Sequence, residues 1–190
     1  HVFSSLYYDW KERTVLKVYK QDPKLKTFTD MIEFNRIELA NNPTPDKKIT
    51  ASLSMGLHWY NLQEFGLAIR WWRKGLSLAP KHVIGWYNLG NGYLVLKDYS
   101  NAEWAYKKSM KFAGEGEIDA CLALGELYKY AYKGKQDQED DVYLECLEKH
   151  KDNRDLLARL ARYYGDSGDK QNALKYFDKL FSFEPTAEVA

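Results

Sequence analysis

The chain has little of what loop-rich, membrane-spanning or strongly charged proteins need. Only 5 prolines and 12 glycines punctuate 190 residues, too few for an all-β protein with many turns. There is no apolar run approaching the ~18 residues of a membrane span, and no basic stretch leading into an apolar one as in a signal peptide. Because the first residue is His1 rather than Met, we expect an upstream segment to have been removed. Charge of one sign is also missing. Lys and Arg number 28 against 27 for Asp and Glu, a net of +1 that argues against a general nucleic-acid binder or a polybasic membrane-surface protein. The two cysteines, Cys121 and Cys146, have no second pair of close ligands, which argues against a zinc site and a disulfide framework. They read as buried thiols, with a single bridge left open if the compartment is oxidising.

Aromatic residues, by contrast, make up 15% of the chain, and they recur with a fixed period. Met55-Gly56-x-x-Trp59 and Leu89-Gly90-x-x-Tyr93 place their glycines 34 residues apart, and Ala68/Ala102 and Trp72/Tyr106 keep the same offset. Leu124-Gly125-x-x-Tyr128 and Leu160-Ala161-x-x-Tyr164 form two further copies; the last continues through Ala173, Phe177 and Pro185. Within each copy the apolar residues fall at helical spacing, Trp86, Leu89 and Tyr93 on one helix and Ala102, Tyr106 and Met110 on the next. Glycine inside a helix costs ~1 kcal/mol against alanine, so its return at one offset implies a close approach of the partner helix. Capping and turn residues fall between the helices at Lys97–Asn101 and Gly165–Asp169. A single such hairpin cannot bury its apolar face, so neighbours must stack.

These motifs resemble the tetratricopeptide repeat family over about residues 49–187. The resemblance implies an all-α fold, a right-handed α-solenoid of about four helix-turn-helix repeats at 49–82, 83–117, 118–153 and 154–187. Residues 1–48 do not match. Phe3, Leu6, Tyr7 and Trp10 read as one amphipathic helix and Phe28 to Leu39 as a second, together a divergent hairpin capping the array. In the third repeat the Gly125–Ala161 offset grows to 36 and Glu139 stands where alanine is usual, so that hairpin is expected to splay. The acidic run Asp137–Asp141 reads as a solvated loop and helix start; it lacks the alternating ligands and central glycine of a calcium loop. The final helix, with Tyr176, Phe177, Leu180, Phe181 and Phe183, reads as uncapped, so either the chain continues past Ala190 or this edge self-associates.

Nothing in the sequence assembles a catalytic constellation. His1, His58, His82 and His150 are scattered, and Gly90-Asn91-Gly92 lacks the context of a phosphate loop. No enzymatic activity, cofactor or metal is expected. Trp71-Trp72-Arg73-Lys74 invites a nucleic-acid reading, but the charge balance argues against it and packing of the rings against a neighbouring helix is favoured. The resemblance instead implies a concave groove of first helices that holds a peptide or helix of a partner protein. The faces opposite the core carry Leu53, Leu57 and Tyr60; then Tyr87, Asn88, Asn91 and Leu94; then Leu122, Glu126 and Lys129; then Arg159 and Arg162. The asparagine amides can donate and accept at once, and arginine can fork onto a carboxylate. Of the Lys/Asn/Lys/Arg set with which chaperone co-factors of this family grip a terminal carboxylate, only Asn88 agrees, so an amphipathic or mixed segment with an acidic end is the expected ligand. The function expected is a non-enzymatic interaction scaffold within a multiprotein assembly. The alternatives are an auxiliary domain of a larger, membrane-anchored enzyme and, last, RNA binding. The compartment expected is the cytoplasm, or alternatively an extracytoplasmic space.

Overall fold

The computed structural model describes residues 2–183, with side chains from Ser5 onward, so the expectations for Pro185 and Ala187, and for the side chain of Phe3, lie outside the described residues. All regular elements among the described residues are helical. They are α1 (Val2–Tyr19), α2 (Lys26–Ala40), α3 (Pro45–Asn61), α4 (Phe65–Leu78), α5 (Val83–Val95), α6 (Tyr99–Phe112), α7 (Asp119–Tyr130), α8 (Glu139–Lys149), α9 (Arg154–Asp166) and α10 (Lys170–Phe181). Short 3₁₀ turns at Pro23–Leu25 and Gln136–Gln138 precede α2 and α8. None of the described helices is long and apolar enough to cross a membrane.

Local chemistry sets the helix ends. Thr44 caps α3, its hydroxyl accepting from the Lys47 amide, with Pro45 at the first helical position. His82 caps α5 through Nδ1, Asn153 caps α9 and Asp169 caps α10, each side chain accepting a backbone N–H of the first turn. The amide hydrogen bonds from Asn172 hold the Asp169 carboxyl below its ordinary range. Each hairpin turn then passes through one left-handed residue: Gln63 (φ 62°), Lys97 (φ 59°), Gly134 (φ 84°) and Gly168 (φ 80°). Glycine is the residue this conformation favours, and glutamine and lysine adopt it here at the same point of the turn.

The chain divides into two compact units, one ending at Phe112 and one beginning at Ala113. In the first unit α3/α4 and α5/α6 are antiparallel hairpins, α4 packs on α5, and α2 packs on α3. Gly56 lies directly under the Trp72 ring and Gly90 under Tyr106, so a methyl group at either would run into the aromatic face. Met55, Trp59, Leu67 and Leu89 fill the spaces between, all fully buried. The second unit repeats the device: Gly125 of α7 sits under Tyr143 of α8. The third hairpin therefore closes at this crossing. Two contacts do the work expected of the missing alanine. Cys121 and Cys146 are joined by a disulfide between α7 and α8, which corrects the reading of two free thiols. Glu139 is buried and ion-paired with Arg162 of α9. The acidic run is thus only partly solvated. It places Glu139, Asp140 and Asp141 in the first turn of α8, where the helix dipole favours negative charge.

The first helix also departs from expectation. Leu6, Tyr7 and Trp10 point outward and are more than half exposed, whereas the inward side sets polar Glu12 beside one buried apolar residue, Leu16. Arg70 donates to Asp9 at 3.0 Å and lies over the Tyr8 ring, the Trp71 indole N–H donates to buried Glu12, and Tyr19 donates to Glu64 at 2.7 Å. The Tyr19 hydroxyl is pushed up to about 12 by burial and by that carboxylate. The orientation follows from α4, whose exposed side offers donors that an apolar face could not satisfy.

Burial pushes the Glu12 carboxyl up, against the lowering effects of the Trp71 hydrogen bond and of Arg70 and Arg36. A carboxyl raised in the folded state contributes stability below its unfolded value, and that contribution is lost as pH rises through the folded value. Glu12→Gln is therefore expected to raise the melting temperature by a few degrees at neutral pH. The gain should vanish as pH falls below the ordinary carboxylate range. Thermal melts followed by tryptophan fluorescence across pH test this; a pH-independent difference would contradict it.

Candidate functional site

In the first unit the residues singled out on α3 and α5 divide by what they touch. Leu53 is wedged between α4 and α5, its Cδ2 against Gly75 and Gly85, so its role is packing. Tyr60 is held by ring contacts to Phe65 and Trp72 with centroids 5.2 and 5.6 Å apart, and Tyr87 leans on Tyr106 at 6.1 Å. Leu57 is exposed, while Asn88 and Leu94 are half-buried. Asn91 is engaged within its own hairpin: its Oδ1 accepts from the Tyr106 hydroxyl at 2.7 Å, which fixes the side chain and leaves its N–H donors and one acceptor lone pair. The contact arises because the ring covering Gly90 ends in a hydroxyl that needs a partner. His58 rests beside the Phe28 ring, 6.3 Å between centroids, and burial lowers its pKa.

In the second unit the expected residues converge. An open cleft of about 410 Å³ between α7 and α9 is lined by Glu126, Lys129, Tyr130, Asp155, Ala158, Arg159 and Arg162. Arg159 pairs with Glu126 at 2.9 Å and stands over the Tyr143 ring, 5.9 Å from its centroid. Arg162 is shared between Glu139 and Asp166. Burial works against both guanidinium charges, but the hydrogen bonds and fields of Tyr143 and Glu126 on Arg159, and of Glu139 on Arg162, outweigh it and raise both pKa values. Both arginines are thus charged and engaged with carboxylates in the free chain. Lys129 lies 4.7 Å from the Tyr130 centroid, and Tyr130 is 73% exposed. Sequence reasoning passed over Tyr130; its signal is a large aromatic residue in the last turn of a first helix, just before a connecting loop. With anions and cations alternating along its walls, the cleft can take a segment of mixed charge and offers it one exposed ring. No group of three or more His, Cys, Asp or Glu side chains disposed to hold a metal ion occurs among the described residues.

Paired helices that close on a small residue under an aromatic ring, repeated at a period of about 34, define the tetratricopeptide-repeat fold, an α-solenoid class. The tetratricopeptide repeat model matches residues 155–186, the α9/α10 hairpin. No curated protein matches the chain in sequence. Among solved structures the chain is similar to MamA, 19% identical over 84% of this chain and 91% of that one, with TM-score 0.60. It is similar also to the TPR-like repeats of a kinesin light chain from Podosopora anserina, 9% identical over 95% and 96% of the two chains, TM-score 0.64. A third is a chain of the Cut9–Hcn1 hetero-tetramer of APC/C, 14% identical over 82% of this chain and 28% of that one, TM-score 0.56. At these identities the likeness establishes the fold, whose typical use is as a scaffold for protein–protein interaction.

Proposed function

We propose that the chain is a non-enzymatic scaffold that binds a peptide or helix of a partner protein along the open faces of its first helices, as part of a multiprotein assembly. The observation that carries this reading is the α7–α9 cleft, where Glu126, Lys129, Arg159 and Arg162 meet beside the exposed Tyr130 ring. Arginine and tyrosine are enriched at the energetic centres of interfaces. The Leu57, Asn88 and Leu94 faces of the first unit offer a second, more apolar stretch of the same kind. One of the similar structures is itself a chain of an assembly. Leu174, Phe177 and Phe181, exposed on α10, support self-association as a second contact of the scaffold, which sedimentation at rising concentration tests. The buried Cys121–Cys146 bond supports an oxidising, extracytoplasmic compartment over the cytoplasm, because thiols in reducing compartments stay reduced.

The cleft is tested by placing a photo-crosslinking phenylalanine analogue at position 130 in the native host. A discrete adduct is expected from Tyr130 and none from the same group at Glu148, an exposed position of α8. Arg159→Glu should cut the Tyr130 adduct at least tenfold. Adducts unaffected by Arg159→Glu, or absent at 130, would overturn the reading.

A further inference from the structure

The second helices of the first unit carry a different feature. α4 bears Arg70, Arg73 and Lys74 with no acidic residue, and α6 bears Lys107, Lys108 and Lys111 against the single acid Glu103, which is paired with Lys107 at 2.5 Å. Between them α5 has no charged residue at all. A recess of about 210 Å³ there is lined by Arg73, Leu76, Ser77, Trp86, Leu89 and Trp104. Arg70 is balanced by Asp9 and Lys107 by Glu103, so the positive charge near the recess is that of Arg73 and Lys74 on α4 and Lys108 on α6. Buried Leu76 and Leu89 make the floor. Trp86 and Trp104 meet edge to face, with centroids 5.0 Å apart, and form a wall. The Trp86 indole N–H donates to the Pro80 carbonyl at 2.8 Å, so that ring is fixed, while Trp104 is 41% exposed at the rim. Lys108 stands 6.0 Å from the Trp86 centroid, and Arg73 is steadied by donating to the Tyr93 hydroxyl at 3.2 Å.

We infer that this recess is a second docking site, distinct from the first-helix faces, for an acidic segment of a partner protein that inserts one apolar or aromatic side chain between Arg73 and Trp104. The volume holds one side chain; small-molecule pockets run from ~300 to 1,000 Å³. A recess walled by tryptophan and rimmed by arginine has the composition of an interface hot spot. Arg73, Lys74 and Lys108 would draw in and orient an acidic flank, with an affinity that falls as salt rises. Nucleic acid fits less well. Base stacking needs successive open ring faces in the basic channel, and the other candidate ring, Trp71, is buried and committed to Glu12.

The test uses a fluorescein-labelled peptide of Asp and Glu residues around one central Phe, titrated with the whole chain and read by anisotropy. Binding is expected, with at least tenfold loss on replacing the Phe by Ala, on replacing the acids by amides, and in the Trp104→Ala chain. Trp104 is a rim residue, and circular dichroism checks that the variant folds; Lys108→Glu provides a second variant, outside the packed core, with the same expected loss. Failure of the peptide to bind, or binding indifferent to Trp104→Ala and Lys108→Glu, would overturn the inference. So would tighter binding of a single-stranded oligonucleotide, or self-association of the chain that Trp104→Ala abolishes.

Discussion

Arg162→Ala is expected to destabilise the second unit by about 3 kcal/mol, more than any other single exposed-to-half-buried substitution on the first-helix faces. Glu139 is only 3% exposed, and Arg162 is the cation that balances it. Removing one partner of a buried ion pair leaves an uncompensated charge in a poorly polarisable site, at a cost of ~3–5 kcal/mol. The lower end applies because Arg162 itself retains some contact with water. The double variant Arg162→Ala/Glu139→Ala should recover most of the loss, since alanine is the residue the repeat pattern wants at 139 and no stranded charge remains. Urea denaturation followed by far-UV circular dichroism measures both. A double variant no more stable than Arg162→Ala would show that the pair matters through packing rather than charge.

The second large effect is expected from the Cys121–Cys146 bond, which closes a loop spanning 25 residues between α7 and α8. Replacing both cysteines with alanine should cost the second unit ~2–4 kcal/mol, chiefly by freeing its unfolded chain. That is a large share of the ~5–15 kcal/mol that stabilises a typical domain. All 6 tryptophans, at positions 10, 59, 71, 72, 86 and 104, belong to the first unit. Two probes therefore separate the outcomes. The far-UV transition should gain a low-temperature step in the variant, while the tryptophan fluorescence transition moves much less. Equal shifts of both probes would mean that the bond stabilises the chain as a whole and not the second unit in particular.

What could be read from the sequence was whatever a short, repeated pattern dictates. A glycine returning every 34 or 35 residues, with an aromatic residue 16 to 18 positions behind it, leaves little choice but a close helix crossing, and Gly56–Trp72, Gly90–Tyr106 and Gly125–Tyr143 are three such crossings. Interactions between hairpins carry no such local signature. Glu139 looked misplaced on its own helix because its partner, Arg162, lies 23 residues away on the next hairpin. The spacing of Cys121 and Cys146 says nothing about whether their sulfurs meet. The first helix was misjudged in orientation for a related reason: its apolar residues suggest an inward face, but Arg70 and the Trp71 indole on α4 call for polar partners. At the candidate site, Arg159, Arg162, Glu126 and Lys129 were legible from their repeat positions. The hydrogen bond from Tyr106 to Asn91, the packing role of Leu53 and the exposure of Tyr130 depend on side-chain contacts that repeat position does not encode.

We propose that second helices close the hairpins while first helices keep one face open for a partner. Amide hydrogen exchange of the chain, free and with the partner trapped from position 130, tests that division most directly. Slowed exchange along α7 and α9, with α8 and α10 unchanged, is the predicted result. Protection confined to α8 and α10 would contradict it.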